Sequence, residues 1–464
     1  MAVNPTITLH TGDHQLNLRL AVEFLGSHPD VKFIHYHWAD LSGVLRVRIL
    51  PTDHSLRLIR QHRPLQAGAF SLIGFAQGPS LPRNFRPGGV NGLWPDWSSL
   101  RLLKHGHASV LCNVSEEASG HTDVNPSAPF LRCPRSMLQS LLNKVESELR
   151  VSLLVGFEME FHLMDEKDRQ QALTGDGPAG YNYWSSASAM RDSRGKCLGE
   201  CVEALQAADI YVEQFHAESA RNSYEIATGP LSVLSAVDTW NQSLEIVKQT
   251  AVQHGFQATF LPKPFARLYC LGQHVHLSVH VDECDSDEKV QEIQESFLAG
   301  ILRRLPLLCG YGMPSRDSFK RHGLAFSGWV TRGTQNRGAP IREIDKGHWE
   351  LKTIDGTANF YLVLATFIAA GVLGVQESEA LVWRDNRDFL ANLDGAEMKQ
   401  LQLETQLPAT LKEALHLCAS NHMGLDVLLG PQLLDFFTAV KKGEEKCLEN
   451  MTDMEQKIMY LENF

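Results

Sequence analysis

The sequence predicts an α+β protein, with a small β-rich domain followed by a larger domain of strands and long helices. Three observations carry that expectation. Runs rich in Val, Ile, Tyr and Trp crowd the first quarter of the chain between turn residues. From residue 151 onward, short apolar strands alternate with helix-period segments. A length of 464 residues also exceeds what one core usually serves.

In chain order, residues 15–27 read as a helix and "VKFIHYHWADLSGVLRVRIL" (31–50) as two strands around a turn at 40–43. The Pro/Gly-rich stretch 58–92 reads as a long loop system, and loops of that length tend to be functional. "ASVLCNV" (108–114) is a strand, and "CPRSMLQSLLNKVESELR" (133–150) is an amphipathic helix with Pro near its start. Further strands are "SLLVGFEMEFHLM", "IYVEQFHAES", "SYEIATG", "ATFLPKP", "QHVHLSVHV" and "HWELKTI". Helices are expected over 231–254, 286–304, 358–375, 409–419 and 431–461. The resulting domains are a helical extension at 1–29, a β-rich domain at 30–115 and the larger domain at 116–464.

Composition narrows the function classes. With 43 Lys+Arg against 54 Asp+Glu, the net charge is −11, which argues against nucleic acid as the main partner. Nine cysteines show no framework spacing; Cys197 and Cys201 lack a second pair, so structural zinc is not expected and free thiols in a cytoplasmic setting are. No basic-then-apolar leader is read at the N-terminus. The apolar stretch 358–375 approaches membrane-span length, but it lacks flanking basic residues and reads as a buried core helix.

The chemistry is carried by acids inside apolar strands. In "VGFEMEFHLM", Glu158 and Glu160 stand two apart, so on a strand they share a face. Glu218, Glu225, His274 with His276, and Glu350 recur in the same kind of setting. One such acid could face solvent on a half-wet sheet. Together on inward-looking strands they would repel one another without cations, and an oxygen-rich set suits Mg²⁺ or Mn²⁺. The Gly-rich stretch 319–344 adds Lys320, Arg321, Arg332, Arg337 and Arg342, donors suited to carboxylate and phosphate. A solvated basic loop is the plainer reading, and it fits Arg332 better than Arg337 or Arg342. No Walker-type or kinase-type glycine loop is present, so use of ATP would require another fold.

At these residues the sequence resembles the glutamine synthetase family, in its bacterial-type branch with fungal look-alikes. "GFEMEFHLM", "VEQFHAESARNSYEIATGP", "LPKPFARLYCLGQHVHLSV", "DSFKR", "NRGAPIR" and "WELKTIDGTANFYL" resemble its blocks in order and spacing. "WADLSGVLRVRILP" and "LWPDWSSLR" resemble its N-terminal β-grasp domain, and the likeness spans about 30–460. The resemblance implies a β-grasp-like domain before a catalytic domain with a curved antiparallel sheet flanked by helices. It implies ATP as co-substrate and two divalent sites: Glu160, Glu218 and Glu225 at one; Glu158, His274 and Glu350 at the other. Arg321 would take the acid substrate's carboxylate, Arg337 the transferred phosphoryl group and Arg342 the nucleotide phosphates, with Arg332, His276 and Ser278 also near the nucleotide. It further implies a ring-like homo-oligomer with no membrane partner.

The departures from the pattern are selective. Ser327 stands where the family flap carries an ammonium-holding glutamate, and "AGAFSLIG" (67–74) lacks the neighbouring subunit's aspartate. Tyr269 and Cys270 replace a glutamate-binding Asn-Gly pair, Lys352 replaces an arginine, and Asn222–Ser223 replace a Gly-Gln pair. The expected activity is therefore an ATP-dependent carboxylate–amine ligase working through an acyl phosphate. Its substrates would contact Arg321, Tyr269, Ser327 and Trp329, and its amine, other than ammonia, would find apolar contact at Phe70, Phe326 and Trp329. A γ-glutamyl-amide ligase, a non-catalytic assembly protein and a metal-dependent amidohydrolase are the rival expectations.

Overall fold

The computed structural model describes residues 14–75, 85, 88–116, 130, 132–174, 184–266, 270–281, 286–401 and 403–464. Two sheets organise it. The first holds β1 (Phe33–Ala39), β2 (Leu45–Pro51), β3 (Leu65–Gly68), β4 (Val90–Leu103) and β5 (His107–Glu116), in the order β2-β1-β5-β4-β3. Only β1 and β5 run parallel. Alternation along these strands sends Ile34, Tyr36, Leu93, Ala108 and Val110 into one core beneath the helix His14–Ser27.

The second sheet is built on β6 (Val151–Met164), with β7 (Val212–Ala217), β8 (Ser223–Thr228), β11 (Gln273–Val281), β12 (Arg332–Thr334), β13 (Ile341–Asp345) and β14 (His348–Leu351). Its order is β12-β13-β14-β11-β6-β8-β7, with the short β9 (Leu231–Ser232) and β10 (Gln257–Thr259) pairing with β6. All its pairs are antiparallel except β12 with β13. The odd-numbered residues of β6, among them Phe157, Met159 and Phe161, are buried. Phe157 packs against Phe360 and Trp240 from the helices Phe360–Gln376 and Val233–Gln253. The apolar face is thus consumed by helices, and the even face is free for polar groups.

Several sequence expectations change here. The stretch 58–92 is not all loop: it contains the end of the helix Thr52–Arg60, β3 and the start of β4. The segment 431–461 is two helices, Pro431–Leu448 and Asp453–Asn463; a new start is set at Thr452, which forms a capping box with Glu455. "ATFLPKP" contributes only β10, and β12 and β13 rise from the arginine-rich stretch. The helix Ser193–Ala207 was not anticipated, although Asp192 caps it by accepting from Arg194 and Gly195. The apolar stretch 358–375 is core: its helix packs on Asp287–Gly312, and Gly300 meets Gly374 where any Cβ would collide. Among the described residues no helix is long and apolar enough to cross a membrane.

The two sheets are clamped together by charge. Arg135 donates to Asp238 at 2.6 and 3.0 Å and to Asp96 on β4 at 2.7 Å, while Tyr361 donates to Asp238 at 2.6 Å. At the β1–β2 turn, Gly43 has φ +85°, and a Cβ there would lie 2.5 Å from the Thr357 carbonyl. Only glycine permits that approach.

Candidate active site

Strand register assembles the site. On β6, Glu158 faces His274 of β11, and Glu160 faces Glu225 of β8. Glu225 in turn faces His216 of β7, while His276 faces Glu350 of β14, which faces Arg342 of β13. Residues directly opposite or two apart share a face, so these groups form one polar row across five neighbouring pairings.

The row contains two clusters. In one, His274 Nδ1 lies 3.1 Å from Glu158 and 3.1 Å from Glu350. Arg342 donates to Glu350 at 2.9 Å, and the Lys352 ammonium is 3.5 Å from its other oxygen. His276 Nε2 is 3.1 Å from Glu158, and its Nδ1 is 3.0 Å from His348. Ser278 continues the same face, opposite His348. The second cluster is His216, Glu218 and Glu225. To the expected grouping of Glu160, Glu218 and Glu225 the structure adds His216, while Glu160 stands opposite Glu225 and also reaches toward the first cluster. Its Oε2 accepts from the Gly272 N–H at 2.7 Å, and its Oε1 is 3.7 Å from His274. The alternation in "FHAE" places His216 on the face of Glu218, a signal that was readable in the sequence.

The electrostatics show a site short of positive charge. Burial and the charges of Glu218 and Glu225 push the Glu160 carboxyl up to about 8, against the pull of His274. Burial likewise raises Glu225, reinforced by Glu158 and Glu218. His216 is held up at about 9, chiefly by its bond to Glu225. For His274, burial and Lys352 act downward, yet the Glu160, Glu158 and Glu350 carboxylates outweigh them and hold it at about 9. Protons thus gather where cations would balance the acids. The donor set of carboxylates and imidazoles suits a hard divalent ion. Among the described residues the hydrogen bonds to Glu218, from Trp184 and from the Ser219 N–H, both fall on Oε2. Among the described residues Oε1 is left open to a ligand.

The arginines divide. Arg342 stands in the row. Arg337 is exposed, and among the described residues it has no hydrogen bond or ion pair, which leaves it open to a ligand. Arg332 is on the opposite face of the sheet: it pairs with Glu343 at 2.6 Å and donates to the Trp383 carbonyl at 3.1 Å. It lines a back-face cleft of about 240 Å³ with Gln291, Lys346 and Trp349, so its expected place near the nucleotide is corrected. Arg321 also departs from its expected place. Its side chain is fully buried, donating to the carbonyls of Ile354 at 2.9 Å and Lys352 at 3.0 Å, so as placed it offers no surface to a substrate carboxylate. Ser327 is half-buried, with its N–H on the Gly338 carbonyl; Trp329 is half-buried nearby and Phe326 is buried. Tyr269 lies outside the described residues.

A solved structure of a "GmaS/ADP complex" superposes with a TM-score of 0.75, covering 95% of this chain and 98% of that one, at 23% identity. Residues 131–459 match the model of the glutamine synthetase catalytic domain. Protein fluG of Emericella nidulans is 31% identical over 99% of this chain, and the chain spans about half of that relative's length (52%). Gamma-glutamylpolyamine synthetase GlnA3 of Streptomyces coelicolor is 27% identical, over 79% of each protein. These likenesses put the molecule among ATP-dependent ligases that form C–N bonds. The chain belongs to the glutamine synthetase family.

Proposed function

We propose that this protein joins a carboxylic acid to an amine larger than ammonia at the expense of ATP. The observation that supports the choice of amine is the missing acid at the flap. The segment 322–331 contains no carboxylate, and among the described residues the Ser327 hydroxyl has only the Trp329 carbonyl within reach, at 3.5 Å. "AGAFSLIG" likewise brings no acid. With the clustered carboxylates engaged by metal in this reading, an ammonium ion would meet Arg337 and Arg342 but no dedicated counter-charge, so it would neither concentrate nor lose its proton there.

In this reading Glu160, Glu218, Glu225 and His216 would hold one divalent ion, and Glu158, His274 and Glu350 another. Bound Mg²⁺ or Mn²⁺ would supply neutralising charge for the phosphates. Arg342 is oriented by Glu350 toward the nucleotide, and Arg337 is free to reach the transferred phosphoryl group. The acid's oxygen takes the γ-phosphoryl group and ADP leaves. The amine nitrogen then bonds the carbonyl carbon, the carbon–oxygen bond to phosphate breaks, and the nitrogen's proton passes to solvent. Screening acids and amines for Mg²⁺-dependent ADP release, with mass spectrometry of the products, tests the proposal. Glutamate plus ammonium emerging as the best pair would overturn it.

Similarity to a gamma-glutamylpolyamine synthetase favours a second reading in which glutamate remains the acid. It predicts that glutamate outperforms other acids in the same screen while ammonium stays poor.

A further inference from the structure

The back-face cleft of about 240 Å³ lies behind the strands that carry Arg342 and Glu350, and its polar groups do not balance. Its acids are already engaged. Glu343 takes the Arg332 guanidinium at 2.6 Å, Asp385 accepts from the Thr334 N–H at 2.6 Å and from Arg387 at 2.8 Å, and Glu295 accepts from Gln291 at 2.7 Å. Two of its donors are not. Trp349 lines the cleft and is 2% exposed, yet its indole N–H has no acceptor among the described residues. Lys346 is exposed at the rim, and among the described residues its ammonium has no ion pair or hydrogen bond. A buried N–H left unpaired is rare because it forfeits its bonds to water, so the cleft is one acceptor short. Leu298, Leu381 and the indole give it apolar walls.

We propose that this cleft binds a small monocarboxylate with a short branched apolar tail, and that its occupancy tightens the nucleotide site on the opposite face. The carboxylate accepts from the Trp349 N–H and pairs with the Lys346 ammonium, while the tail rests on Leu298 and Leu381. A second carboxylate would find no unengaged cation there. The coupling runs through strand register. Trp349 stands opposite Glu343 on the back of the β13–β14 pair, and the next residues, Glu350 and Arg342, stand opposite each other on the front. The ladder slips register between Glu343 and Asp345, and the hairpin turns at Gly347, with φ +69°. A ligand bridging Lys346 of that turn to Trp349 therefore steadies the strand ends that hold Arg342 and Glu350. The effect on the nucleotide rests on the ligase reading given above; the binding does not.

Isovalerate is the probe, followed by saturation-transfer NMR with the full chain as the native protein, Lys346→Glu and Trp349→Phe. The native chain should bind it. Lys346→Glu, a change at an exposed side chain, should weaken binding about tenfold or more, and Trp349→Phe, which keeps a ring and loses the N–H, about fivefold. Isoamyl alcohol, with the same tail and no charge, should not distinguish native from Lys346→Glu. Isovalerate should also lower the Kd of ADP with Mg²⁺, measured calorimetrically, by about fivefold in the native chain and not in Lys346→Glu. Equal isovalerate binding by all three chains would place the probe elsewhere and overturn the proposal. So would no binding to the native chain, or binding that leaves the Kd of ADP unchanged. ADP-release assays report on the ligase reading separately: if no acid–amine pair releases ADP, that reading fails while the NMR titrations still decide the cleft.

Discussion

Arg332 and Arg337 lie in one Gly-rich stretch, and the two side chains have opposite surroundings. Arg332 is bound to Glu343 and Trp383 on the back of the sheet, whereas Arg337 is exposed with no partner among the described residues. Arg337→Ala should lower turnover ~100-fold or more, because in the proposed reading it removes a donor to transition-state charge. Melting should barely change, since an unpartnered exposed side chain stabilises little. Arg332→Ala should do the reverse, costing about 1 kcal/mol of stability with turnover intact. Parallel activity assays and urea titrations separate the two, and equal losses of turnover would place Arg332 at the nucleotide after all.

Among elements, β6 matters most because it faces helices on one side and the polar row on the other. Its row is under-compensated, so divalent ions should stabilise the native state by mass action, by about 2.7 kcal/mol at a hundred times the dissociation constant. EDTA should lower the melting temperature and Mg²⁺ restore it. Glu160→Gln should raise the melting temperature of the metal-free protein by relieving repulsion from Glu218 and Glu225, while blunting the Mg²⁺ response. Equal melting with and without saturating metal would count against the clustered site. The β1–β5 pair carries a different liability. Burial, reinforced by neighbouring imidazoles, depresses His37 to about 3 and His35 to about 4. Their folded values lie below the ordinary 6.5, so the unfolded chain binds protons first as pH falls. Stability is whole above pH 6.5 and should drain away between there and about pH 3. His37→Gln should flatten that slope in urea titrations; an unchanged slope would assign acid sensitivity elsewhere.

For the whole molecule, the joint between the two sheets depends on Arg135. Its side chain is 4% exposed, and Asp238 beside it is 8% exposed. Arg135→Met would strand a buried carboxylate and should cost about 3–5 kcal/mol, since breaking a buried pair leaves one charge uncompensated. A denaturation midpoint close to that of the native protein would show that the joint is held by apolar packing. Assembly belongs to this scale as well. On the edge strand β2, Val47 and Ile49 face one side and stand 45% and 50% exposed. We expect that face to meet a neighbouring copy in a closed ring, so Ile49→Lys should lower the mass seen by light scattering. A native chain already monomeric and fully active would refute a site shared between copies.

Much of the fold and site was legible locally. Alternation in "FEMEFHL" and "QHVHLSV" sorted apolar from polar faces, because side chains on a strand repeat every two residues. That alone put Glu158 with Glu160 and His274 with His276, and it implied that so many shared acids require cations. What sequence could not supply was the pairing between distant strands, which depends on register and not on local pattern. Register put both His216 and Glu160 opposite Glu225. It sent Arg332 to the far face from Arg342, although both belong to one basic stretch. Burial was equally non-local: Arg321 is sealed because the carbonyls of Lys352 and Ile354 close over it. Residue chemistry was written along the chain, while the faces and partners that give it direction were decided only when the strands came together.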